Sequence, residues 1–130
     1  MKKLMVITLM LIIAAVLTPV LMNCDGNEAS QPSYASDIDP LFGTGRYNCK
    51  FCHTSASTVH LDLTTYDGLM RGSDNGVVVI AGDADNSLLY QKISTDTPPT
   101  GERMPQGGTR MTSTEISLIE DWINQGAKDN

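Results

Sequence analysis

Two thiols and an imidazole stand within five consecutive residues, Cys49-Lys50-Phe51-Cys52-His53. Because two residues separate the thiols and the imidazole follows at once, any fold must hold these three side chains in one small region. The pattern C-x-x-C-H is typical of covalent haem attachment, where the thiols bond to the vinyl groups of one porphyrin edge and the histidine ligates the iron. The motif predicts one covalent haem c, held by Cys49 and Cys52 with His53 as axial ligand.

Two other kinds of site use the same residue types. A thioredoxin-like dithiol needs a βαβ context, and the glycines and asparagine before Cys49 do not indicate a strand leading into it. A zinc ion normally takes four ligands. The motif could supply three of them and His60 the fourth, but all four would then come from one unusually short segment. We expect haem in preference to either.

A haem iron that transfers electrons usually has a second axial ligand, and methionine is a common partner of histidine. Met104 lies in the proline- and glycine-rich segment 98–108, which cannot form a regular helix and can lay a thioether across the distal face. Met111, close to the start of the next helix, is the alternative. Met70 falls in a predicted helix, where it would pack as core, and His60 follows the motif too closely to reach the opposite face.

The first 23 residues predict export from the cytoplasm. A basic start, Met1-Lys2-Lys3, precedes an apolar run from Leu4 to Met22, which is the pattern of a bacterial signal peptide. A permanent membrane helix is the alternative, because about 20 apolar residues span a bilayer. Either interpretation places the rest of the chain outside the cytoplasm, in the periplasm or cell envelope, where lipidation or an uncleaved anchor would tether it to the membrane.

Cys24 follows Leu21-Met22-Asn23, and this segment resembles the lipobox of bacterial lipoproteins. Asn23 stands where the lipobox usually has a small residue. Cys24 is therefore the predicted lipidation site, with a spare thiol in an uncleaved anchor as the alternative. Residues 24–33 are small and polar and predict a flexible tether, which leaves residues 34–130 as one domain.

The charge of the chain limits its partners. The formal net charge is −6, and both lysines of the signal segment lie outside the domain, so the exported part is more acidic still. Proteins that bind nucleic acid carry basic surfaces, and this chain predicts no such partner. A basic redox protein is the partner that the charge favours. The sequence offers no Ser-His-Asp set and no phosphate loop, so we expect no enzyme activity.

Segments spread over most of the domain carry a recognisable order of motifs. They are Asp37-Ile38-Asp39-Pro40-Leu41-Phe42, Cys49-Lys50-Phe51-Cys52-His53, Leu61-Asp62-Leu63, Leu69-Met70-Arg71-Gly72, the run 79–90, Arg103-Met104-Pro105 and the run 115–127.

Taken in this order, the segments resemble the planctomycete cytochrome c domain family. The resemblance implies an all-α cytochrome c fold of about four helices, with long loops wrapped around one haem. It also implies thioethers on Cys49 and Cys52, His53 as proximal ligand and Met104 as distal ligand, in a carrier of single electrons. A haem sensor, or a haem subunit with an open distal site, is the alternative function.

Within that fold we expect helices at 34–42, 65–71, 87–94 and 113–125. Thr112 and Glu115 form a predicted capping box at the start of the last helix, and apolar residues recur along it at helical spacing. Asn86 or Ser87 is the predicted cap of the third helix. Taken alone, the β-branched run Val77-Val78-Val79-Ile80 predicts a strand. The family resemblance implies instead an extended segment beside the haem.

Overall fold

The computed structural model describes residues 31–43 and 45–130. The predicted signal segment 1–23 and Cys24 lie outside these residues. All regular elements of the described part are helical, and one isolated bridge joins Ser73 to Gly76. None of the helices in this part is long and apolar enough to span a membrane.

Six helical segments make up the described fold, so its all-α character agrees with the prediction. The expected count of about four differs for two reasons. The segment 34–42 divides into a π-helical turn and a short α-helix, and the C-x-x-C-H motif forms a helical turn of its own. In chain order they are a π-helical turn, Tyr34–Ile38; α1, Asp39–Phe42; α2, Cys49–Cys52; α3, Tyr66–Arg71; α4, Leu88–Ser94; and α5, Ser113–Asn124.

Side-chain caps explain where two of these helices begin. The Thr65 hydroxyl accepts a hydrogen bond from the Gly68 N–H at 3.0 Å and starts α3. At α5 the predicted capping box is present: the Glu115 N–H donates to the Thr112 hydroxyl at 3.3 Å, and the Thr112 N–H donates to the Glu115 carboxylate at 2.8 Å. Each cap satisfies N–H groups that the helix itself leaves without partners.

The core forms around α5, which packs against α4 and the π-helical turn. Ile119, Trp122 and Ile123 are almost completely buried on one face of this helix. The Trp122 ring lies 5.6 Å from the Tyr34 ring, and Tyr34 in turn meets Tyr66 edge-on at 5.1 Å. Burial of each large apolar side chain stabilises the fold by about 1.5–3 kcal/mol, so this aromatic group ties the first and last helices together.

The two ends of the described segment meet. Pro32 is buried, and the Ser33 hydroxyl donates to the Asn130 carbonyl at 2.6 Å. Nearby, the Tyr66 hydroxyl donates to the Ala127 carbonyl at 2.7 Å. The residues after α5 therefore close over the start of the domain.

Ser87 occupies the N-cap position of α4, but its side chain does not cap the helix. Its hydroxyl instead accepts from the Ile80 N–H at 2.8 Å and donates to the Asp83 carbonyl at 2.7 Å. The Leu89 N–H donates to the Val78 carbonyl at 2.9 Å. The β-branched run 77–80 thus lies across the start of α4, with a bend at Val78, and forms no strand.

Candidate functional site

The helix α2 places the two motif thiols on one side of the chain. Asn48 precedes it in the left-handed conformation, with φ of 49°, a geometry that asparagine tolerates better than most residues. Residues three apart face the same side of a helix, so one turn brings Cys49 and Cys52 together. The Lys50 ammonium bonds the Asp39 carboxylate at 2.6 Å, which joins α2 to α1.

The two thiols differ in their surroundings. Cys49 is partly buried and packs against the core, whereas Cys52 is exposed, and both are free. Burial raises the pKa of the Cys49 thiol. Because the thiolate is the reactive form, a raised pKa does not favour a dithiol that exchanges disulfides. Both sulfurs remain available for bonds to a group outside the chain.

His53 is the first residue after α2, and its ring nitrogen Nδ1 lies in the protein interior. Its N–H donates to the Cys49 carbonyl at 2.9 Å, and its carbonyl accepts from the Leu63 N–H at 3.0 Å, so the backbone is held on both sides. Its ring Nδ1 is buried and has no hydrogen-bond partner among the described residues. Burial also lowers the pKa of His53, which favours the neutral imidazole that binds metals.

A small apolar cavity of about 80 Å³ opens beside His53. Its wall is mostly apolar with a few polar groups, which is the composition typical of small-molecule and cofactor sites. Residues from four separate stretches of chain form the wall. One of these stretches includes Val78, whose carbonyl accepts a hydrogen bond from the Leu89 N–H. The lining residues are His53, Val59, Leu61, Ser73, Asn75, Val78, Leu88, Leu89 and Lys92.

The four residues considered for the distal position lie in different environments. Met111 is a core residue, only 6% exposed, and Met70 is partly buried against the same core. The His60 ring Nδ1 bonds the Asp74 carboxylate at 2.8 Å on the surface. Met104 is half-buried in a non-helical loop, which matches the sequence prediction for its backbone, and like Met70 it packs against the core.

The backbone of Met104 is attached to the cavity wall. Its N–H donates to the Lys92 carbonyl at 2.8 Å, and Lys92 lines the cavity together with His53. The Met104 side chain is not among the residues that line the cavity. The sequence analysis did not predict Lys92 as a residue of the site. Its position in the last turn of a predicted helix, just before the proline- and glycine-rich loop, could have indicated a contact with that loop.

The residues present fit a covalent haem better than a zinc ion. Two free thiols share one side of α2, the next residue has a buried ring nitrogen without a partner, and an apolar cavity lies beside that ring. A buried polar atom with no partner costs about 1–3 kcal/mol, so this imidazole has ligating capacity that the described residues do not use. Across 31–43 and 45–130, no three His, Cys, Asp or Glu side chains are grouped to hold a metal ion.

Residues 49–108 match the model of a family described as Planctomycete cytochrome C. The matched segment begins at the first thiol of the motif and ends just after the loop of Met104. The match confirms the family resemblance drawn from the sequence and places a cytochrome c domain in this part of the chain. No curated protein matches the chain.

Proposed function

From the match of residues 49–108 to the planctomycete cytochrome C family, we propose that this chain is a monohaem c-type cytochrome. It carries single electrons outside the cytoplasm and has no substrate chemistry of its own. One observation supports this proposal above the others: Cys49 and Cys52 are free on one helical turn, next to His53 with its unpartnered ring nitrogen at an apolar cavity.

Each residue of the site has a separate task in this proposal. Bound haem c would supply reversible one-electron chemistry at its iron. Cys49 and Cys52 would hold the porphyrin through thioether bonds, which do not dissociate in an open compartment. His53, kept neutral by burial, and Met104 would supply the imidazole and thioether ligands of the iron. The apolar wall excludes water, and such a shell controls the dielectric around the iron and so the reduction potential.

The sequence supports the proposed location and partners. Residues 1–23 act as the export signal, Cys24 carries lipid, and residues 24–33 tether the domain to the membrane of the cell envelope, with Pro32 and Ser33 at the domain end of the tether packed against the domain. The partner is a redox protein with a basic surface, because the chain has a net charge of −6 and complementary charge accelerates association. The N-terminal peptide of the mature protein should begin at Cys24 and carry the mass of a lipid, and an unmodified Cys24 in that peptide would contradict lipidation.

The proposal is tested by the absorption spectrum of the protein after expression with haem-attachment machinery. We expect a reversible titration with one electron, and in the oxidised form the weak red band that methionine sulfur gives. Met104→Ala should lose that band. Met70→Ala, which removes a methionine that packs against the core, should keep it. A band that survives in Met104→Ala would refute the assignment of Met104.

One observation favours the second function, a haem sensor or haem subunit with an open distal site. The Met104 side chain does not line the cavity beside His53. If the distal position is open, the reduced protein should bind added carbon monoxide at micromolar concentration and show no methionine band. A six-coordinate spectrum that carbon monoxide leaves unchanged would exclude this function.

A further inference from the structure

The loop that carries Met104 is joined to α4 through a single residue, Lys92. Its carbonyl accepts a hydrogen bond from the Met104 N–H at 2.8 Å. Its ammonium donates to the carbonyl of Thr100 and to that of Glu102, the latter at 2.9 Å. Backbone and side chain of one residue thus hold both ends of the segment 100–104.

The position of Lys92 connects this segment to the site. Lys92 lines the cavity beside His53, and it is partly buried. A lysine can pack its methylene groups on apolar surface while the ammonium reaches outward, and here the ammonium reaches the loop. Gly101 has a φ of 55°, and a Cβ there would stand 3.2 Å from the Lys92 Nζ. A glycine at this point lets the loop wrap closely around the ammonium.

The other fixed contact of the loop is weaker. The Arg103 guanidinium lies 3.6 Å from the Asp96 carboxylate, and Arg110 pairs with the same carboxylate. The Asp96 side chain is 70% exposed, and ion pairs in such solvated positions contribute little. The Met104 side chain also packs against the core, and the hydrogen bonds to Lys92 are the polar contacts that fix the backbone of 100–104.

We propose that Lys92 is a positioning residue that holds the loop 100–104 beside α4, where Met104 would serve as an iron ligand. The proposal rests on the assignment of Met104 as distal ligand. When the ammonium is removed, the loop departs from this position more often. An external ligand then competes for the distal position more successfully, because its apparent affinity depends on the fraction of open protein.

The test compares Lys92→Leu with Lys128→Leu. The first variant keeps an apolar side chain on the cavity wall and the backbone bond to Met104, but it removes the ammonium and adds no sulfur that could bind the iron. The second removes the same charge from an exposed lysine whose ammonium contacts Gln31. The measured quantity is the apparent affinity of the oxidised holoprotein for imidazole, with the methionine band as a second readout. Urea unfolding of both variants reports any change in overall stability.

We expect Lys92→Leu to bind imidazole about tenfold more tightly than the wild type and to show a weaker methionine band, because two hydrogen bonds from a charged donor are lost. Lys92→Arg, which keeps a charged donor, should recover part of the wild-type behaviour. Lys128→Leu should bind imidazole as the wild type does. If Lys92→Leu also binds imidazole as Lys128→Leu does, the proposal is wrong, even if Lys92→Leu is less stable in urea.

A double-variant cycle separates this inference from the ligand assignment. If Lys92 acts through Met104, Lys92→Leu should have no further effect on imidazole affinity in a Met104→Ala background. An equal effect in both backgrounds would refute the positioning role while leaving Met104 as the ligand. If Met104→Ala alone changes neither the band nor the affinity, the ligand assignment fails and this proposal fails with it.

Discussion

Ser87 is a small polar residue with no exposed surface, and its hydroxyl holds one wall of the cavity. It accepts from the Ile80 N–H at 2.8 Å and donates to the Asp83 carbonyl at 2.7 Å. Val78, which lines the cavity, lies two residues before Ile80 in the same stretch of chain. We predict that Ser87→Ala loosens this wall without changing any proposed haem ligand.

The size of the effect follows from the two backbone groups that lose their partner. A buried donor or acceptor left without a hydrogen bond costs about 1–3 kcal/mol. Ile80 as a whole residue is 38% exposed, so water can reach part of this region and replace some of the lost hydrogen bonds. We therefore expect the free energy of unfolding to fall by about 2 kcal/mol, near the lower end of the summed range.

Urea unfolding followed by the fluorescence of Trp122, the one tryptophan of the chain, measures this change. Ser117→Ala is the matched control, because Ser117 is exposed on α5 and surface changes usually stay within about 0.5 kcal/mol. If Ser87→Ala falls within 0.5 kcal/mol of the wild type with the same denaturant slope, the hydroxyl does not hold the segment as described.

Three further predictions concern the rest of the domain. Burial acts to raise the pKa of Glu115, but hydrogen bonds to its carboxylate outweigh burial and lower the pKa. The ionised carboxylate therefore stabilises the fold fully above the unfolded-state pKa of about 4.3, and this stabilisation is lost as the pH falls through the lower pKa of the folded state. Acid unfolding of Glu115→Gln should lack this pH-dependent loss of stability. Gly68→Ala should destabilise by about 1–3 kcal/mol in urea, because a Cβ would stand 2.6 Å from the Asp62 carbonyl oxygen; an unchanged midpoint would contradict this contact. Tyr66→Phe should lower the free energy of unfolding by about 1 kcal/mol through loss of the bond to the Ala127 carbonyl, and a gain in stability would show that this bond contributes nothing.

The parts of the fold that follow local rules could be predicted from the sequence. The capping box at Thr112 and the apolar spacing after it predicted a helix at 113–125, and the observed helix is Ser113–Asn124. The thiol spacing likewise predicted a shared position for Cys49 and Cys52. These features depend on residues only a few positions apart, so the sequence contains the whole pattern.

Contacts between loops could not be predicted in the same way. The bonds of Lys92 to the segment 100–104 and of Ser87 to the segment 80–83 depend on which loops meet after the helices pack. Ser87 illustrates the limit: its type and position predicted a helix cap, but a competing partner in the preceding loop uses the hydroxyl. The short helix at the motif was also missed, because four residues are too few to show a helical period.

The most direct test of the central claim is the mass of the purified peptide that contains residues 49–53, obtained after expression with haem-attachment machinery and full denaturation. We predict a mass increase of one haem, absent when Cys49 and Cys52 are both replaced by alanine. The same increase should persist in Cys24→Ala, which removes the remaining cysteine. An unmodified peptide from the wild type would contradict the assignment of this chain as a c-type cytochrome.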